Sequence, residues 1–134
     1  MKTSMIALLL VLFTFGQVHA QKIYSTKAAT VRFIAVDDKD IDATNTKAVS
    51  RLEANGKLSF IMLMKDFGFE MDLMQKHFND EYVESDKFPR GIFNGQITNI
   101  KSVNFTKDGS YPIMVKGNMQ VHGVNKTIQT NGVI

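Results

Sequence analysis

The chain has 134 residues, with 16 Lys and Arg against 13 Asp and Glu, a formal charge of +3, no Cys and no Trp. That length holds one domain with a real core, and the lack of Cys excludes disulfides and thiol nucleophiles. So small and dispersed a positive excess excludes a nucleic-acid interface, which clusters Lys and Arg on one face.

Residues 1–20 read as a cleavable secretory signal peptide. Lys2 supplies the positive start, residues 5–15 form an uncharged apolar run, and Val18-His19-Ala20 ends on a small residue. The apolar run falls short of the ~20 residues that span a bilayer, and later runs such as 60–64 are shorter still. A periplasmic or secreted location is therefore expected, without a membrane span, for a single domain over residues 21–134.

From residue 30 onward the dominant period is two. Val31, Phe33 and Ala35 alternate with Thr30 and Arg32, which predicts a strand with one buried face. Asn55-Gly56 separates the runs 47–54 and 57–65, and Asn-Gly is a strong hairpin signal because both positions tolerate a positive φ. The period then changes: Met71, Met74, Phe78 and Tyr82 follow helical spacing, with Glu70 and Asp72 where a helix N-terminus favours negative charge. One helix of about three turns fits here, ending before Pro89, which sends Phe88 into an extended conformation.

Alternation returns with Phe93, Gly95 and Ile97. It is plainest in Ile113, Val115, Gly117, Met119 and Val121. Asp108-Gly109 is expected to turn 91–105 into 111–121, and His122-Gly123 to turn directly into 124–130. Gly95 and Gly117 on the apolar face leave room for a close backbone or for a ligand. The expected order is three strands, a helix and three strands.

Catalytic constellations are scarce. There is no Gly-x-Ser-x-Gly elbow, and beyond the leader the only histidines are His77 and His122. His77 and Glu81 lie four apart with Asp80 beside them, but zinc needs about three converging groups, so a solvent-facing pair is the simpler reading and no metal is expected. His122 is read as a residue that fixes its glycine turn by a hydrogen bond, with proton transfer as the alternative. Asn104-Phe105-Thr106 and Asn125-Lys126-Thr127 match the glycosylation acceptor pattern, which occurs often by chance. The eight methionines, together with phenylalanines such as Phe60, Phe78 and Phe93, form soft walls suited to an apolar chain.

Two separated motifs carry a family resemblance. The run Phe69-Glu-Met-Asp-Leu-Met-Gln-Lys-His-Phe-Asn-Asp-Glu-Tyr82, continued by Lys87-Phe88-Pro89 and Ile92-Phe93, resembles the centre of YceI-like proteins. Val115-Lys-Gly-Asn-Met-Gln-Val-His-Gly-Val-Asn-Lys126 is similar to that family's strand ending in His-Gly-Val-Thr-Lys, with Met119, Gln120 and Asn125 as departures. The resemblance implies a mainly β fold, an antiparallel lipocalin-like β-barrel with one inserted α-helix, whose members bind polyisoprenoids or similar long apolar molecules. It implies no catalytic residues and no cofactor.

The family pattern continues past the His-Gly-Val strand, whereas this sequence ends at Asn131-Gly132-Val133-Ile134. The resemblance therefore leads us to expect an incomplete barrel, about six of eight strands, from a truncated reading frame. An open barrel completed by a second copy as a homodimer is the alternative. The leading functional reading is a non-enzymatic exported protein that carries or sequesters a polyisoprenoid, quinone-like or fatty molecule. Phe33, Phe93, Ile113, Val115 and Met119 are the expected apolar wall, with Met71, Met74 and Phe78 as contacts from the helix. A structural or interaction module of the cell envelope, a non-functional fragment and a metal-dependent enzyme using His77 are the competing readings.

Overall fold

The computed structural model of the chain describes residues 20–37 and 41–134. The predicted leader lies outside these residues except for Ala20. Seven strands and one short helix follow in the order β1 (Ile23–Ile34), β2 (Asp42–Glu53), β3 (Lys57–Leu63), β4 (Gly68–Phe69), α1 (Asp72–His77), β5 (Arg90–Ile97), β6 (Pro112–Val121) and β7 (Val124–Val133). The sheet is an antiparallel meander in the order β1-β2-β3-β5-β6-β7, with two-residue β4 added to β2. It is not closed: among the described residues no ladder joins β1 to β7.

Turn chemistry accounts for the hairpins. Gly56 has a φ of +91°, and Asn55 accepts the Lys57 N–H through its side-chain oxygen at 2.9 Å, reversing the chain between paired Leu52 and Leu58. At the other end His122 and Gly123 take φ values of 52° and 69° between paired Val121 and Val124, a two-residue turn of the kind that matches strand twist. The β5–β6 connection departs from expectation. β5 stops at Ile97, and Asp108-Gly109 makes no positive-φ turn; the chain instead runs through a 3-10 turn at Ile100–Ser102. Asn99 stands in for the lost ladder, accepting the Met114 N–H at 2.8 Å and donating to the Pro112 carbonyl at 3.1 Å.

Register decides which side chains share the concave face. One row across the sheet joins Leu52, Leu58, Gly95, Gly117 and Ile128, and the next joins Phe60, Phe93 and Met119. Phe93, Ile97, Ile113 and Val115 form a buried cluster there. A second cluster of Ala43, Ala48, Met62, Met64, Phe67, Phe78 and Val83 fills the helix end. Asn45, fully buried, joins the two halves of β2, whose outer partner changes from β4 at residues 43–44 to β3 at residues 49–52. Its amide donates to the Leu63 carbonyl at 3.0 Å and its oxygen accepts the Lys47 N–H at 2.8 Å, so no buried polar atom of this side chain is left unpaired.

The helical segment corrects the predicted apolar stripe. α1 passes into one wider π turn over Phe78–Tyr82, closed by the Val83 N–H to Phe78 carbonyl bond of 2.9 Å. That extra residue rotates the following face. Phe78 stays buried and Val83 joins it, while Met71 is 55% and Tyr82 63% exposed. The segment ends before Pro89, as the sequence predicts.

Candidate ligand-binding site

The curled sheet leaves a trough of about 590 Å³. Its floor comes from β3, β5 and β6, and its long sides from the edge strands, at Thr30 to Arg32 of β1 and Thr130 to Val133 of β7. Leu58, Phe60, Phe93, Val115, Met119 and Ile128 give it an apolar wall, with Ser50 and Thr130 among its few hydroxyls. The volume lies within the usual range for small-molecule sites.

Phe93 shapes the floor. A Cβ built on Gly95 would lie 2.5 Å from Cζ of Phe93, and one on Gly117 would lie 2.7 Å from the same atom. The space that these two glycines create is therefore occupied by the Phe93 ring rather than left for a ligand. Gly117 also meets the β5 backbone, at 2.4 Å from the Asn94 carbonyl oxygen, so the glycine pair allows both the ring and the close strand to fit.

The electrostatics of the trough are nearly neutral. Arg32, the charged residue among its described walls, is held by Asp42: Nε donates to Oδ1 at 2.9 Å, and a second bond joins the same pair. The pairing raises the Arg32 pKa and lowers that of Asp42, the hydrogen bond being the main cause of both. The described walls hold no side-chain carboxylate and no imidazole. Such a surface can enclose an apolar chain.

The predicted wall residues divide between two places. Phe93, Ile113, Val115 and Met119 line the trough together. Phe33 does not join them. It lies beyond Val31 toward the helix end, its ring 5.9 Å from that of Phe78, in a separate cleft shared with Met74. Alternation along β1 gives the correct face but not the position along the trough. Met71 lies on the surface beside Arg32 and Glu70.

The two histidines also separate. His77 Nδ1 and Glu81 Oε2 are 3.6 Å apart on the surface, and among the described residues no three potential ligands converge on a metal position. His122 has an acidic neighbour that the local sequence did not disclose: its Nε2 donates to Glu84 Oε2 at 2.7 Å across 38 residues of chain. Glu84 and His122 both take positive φ, at 44° and 52°. Lys87 also binds Glu84, and Phe88 meets the imidazole edge-on at 4.8 Å between ring centres. Lys87 first and His122 second keep the Glu84 carboxyl below its ordinary pKa. The turn-fixing role expected of His122 thus extends to docking the hairpin on the loop that follows the helix. Only the left-handed preference of a His-Gly turn could have pointed to the strain in advance.

No protein-family model matches the chain, and no curated protein matches its sequence. Among solved structures it is similar to one described as a polyisoprenoid binding domain from Saccharophagus degradans implicated in plant cell wall breakdown. The TM-score is 0.66 at 10% sequence identity, over 85% of this chain and 67% of that one. At that identity the likeness is one of fold: an open, lipocalin-like antiparallel sheet with an inserted helix.

Proposed function

We propose that the protein is an exported carrier that holds a long apolar molecule, of the polyisoprenoid, quinone-like or fatty class, in the trough between β1 and β7. The observation that carries this reading is the trough itself: about 590 Å³ with apolar walls and its one described cation paired outside them. The description of the solved neighbour as a polyisoprenoid binding domain supports the ligand class. The sequence of residues 1–20 supports export.

The physical signature of such a site is a ladder in chain length. Each buried methylene contributes about 0.8 kcal/mol, roughly a fourfold gain in affinity. Affinity for a homologous series of straight-chain alcohols should therefore climb by about that factor per carbon and level off when the trough is filled. Ile128→Glu, on the half-buried β7 wall, should abolish the climb while leaving the unfolding midpoint close to that of the parent. An affinity independent of chain length in the folded parent protein would overturn the proposal.

A further inference from the structure

Among the described residues, the cleft at the helix end shares no lining residue with the trough. Phe33, Phe69, Phe78 and Tyr82 surround it with Met74 and Val83, leaving about 270 Å³. Phe78 forms the buried floor, with Phe69 at 5.0 Å and Phe33 at 5.9 Å between ring centres, both tilted by about half a right angle. Phe33 and Tyr82, 42% and 63% exposed, stand at its rim. The partition from the trough is the buried cluster that contains Met62 on the trough side and Phe78 on the cleft side.

From this we infer a second binding site in the helix-side cleft, for a small uncharged aromatic molecule of one or two rings. Size comes first: an apolar cavity of about 150 Å³ suffices for benzene, and this cleft is larger and open to solvent at one side. Shape is next. Tilted rings at these separations leave edges and faces that pair with a further ring, a gain beyond burial alone. The Met74 thioether adds a polarizable partner that favours an aromatic guest over an aliphatic one. Among the described residues no lysine, arginine, histidine or carboxylate lines the cleft, so a charged guest would lose its hydration without a counter-ion from these walls. The Tyr82 hydroxyl at the rim supplies one hydrogen-bonding group for an indole N–H or a phenol.

This inference is independent of the trough ligand, and indole tests it. Titration of the chain with indole, followed by NMR of methyl groups, should give saturable shifts at Met74, at Val83 and at Ala35, which also lines the cleft. Saturation is expected at or below about 1 mM. Met74→Trp, at a half-buried position, fills the cleft and should weaken binding by about tenfold or more; Ala35→Leu narrows it and should act in the same direction. Ile128→Glu should leave indole binding unchanged whether or not it removes a long-chain ligand. Saturable shifts confined to trough methyls, displacement of indole by a long-chain alcohol, or absence of saturation in a folded protein would each overturn the inference.

Discussion

Replacing Gly117 by alanine should destabilise the protein far more than the same change at Gly132, although both glycines lie on β6 and β7 with their missing side chains directed to the concave side. At Gly117 the new Cβ would stand 2.4 Å from the Asn94 carbonyl oxygen, 2.5 Å from Gly95 Cα and 2.7 Å from the Phe93 ring. The first two are backbone atoms of β5, so relief requires β5 and β6 to separate across a ladder that runs from Ile92 to Ile97. Overpacking of a fitted interior costs about 1–3 kcal/mol, and here the rigid contact places the cost at the upper end or above. At Gly132 the nearest atoms are Cγ1 and Cδ1 of Ile113 at 3.4 and 3.5 Å, an ordinary contact. The alanine there should gain about 0.4–1 kcal/mol from a less flexible unfolded chain. With a urea slope of about 2 kcal/mol/M, the two variants should differ in midpoint by roughly 2 M. Equal midpoints would refute the packing account of the glycine pair. Phe93→Ala should rescue Gly95→Ala, whose two closest contacts are with that ring at 2.5 and 2.7 Å, but not Gly117→Ala.

Other consequences follow from single side chains. Asn45→Ala leaves the Leu63 carbonyl and the Lys47 N–H without their buried partner and should cost about 2–3 kcal/mol in chemical denaturation; a loss below half a kcal/mol would contradict its role in joining the two halves of β2. Phe78→Ala should cost about 3–5 kcal/mol, whereas Met71→Gln, at a largely exposed position, should stay within about 0.5 kcal/mol; similar losses would mean that the predicted helical stripe, not the π turn, sets the buried face. Glu84, Asp42 and Asp86 all have folded pKa values lowered by basic partners: Lys87 and then His122, Arg32, and Lys65. A lowered folded pKa gives stability that is fully present above the unfolded value, near pH 4, and is lost as pH falls through the folded value. Glu84→Gln should therefore flatten the acid limb of a plot of unfolding midpoint against pH, and an unchanged limb would show that the Glu84 contacts contribute nothing.

Much of the architecture was legible in the sequence because it is written locally. Asn55-Gly56 and His122-Gly123 reverse the chain where their φ preferences require it, and Pro89 ends the helical segment. Strict alternation in β6 placed Ile113, Val115 and Met119 on one face. What escaped was set by tertiary geometry. A period of two gives the face of Phe33 but not its height, and its height assigns it to the helix-side cleft. The π turn inserts a residue that helical spacing cannot anticipate, exchanging Tyr82 for Val83 in the core. Glu84 and His122 meet across 38 residues, and nothing in either local pattern marks the other as its partner. The Asp108-Gly109 signal was overridden because Asn99 and the following 3-10 turn satisfy the β6 backbone by another route.

The most direct test of the carrier reading is to purify the protein from its source without detergent, extract it with organic solvent, and compare native and denatured masses. One long-chain apolar molecule per folded chain, lost on denaturation and absent from an Ile128→Glu variant purified in parallel, is the predicted result. A folded parent protein whose native mass equals that of the bare polypeptide, and which takes up no long-chain alcohol when offered one, would contradict it.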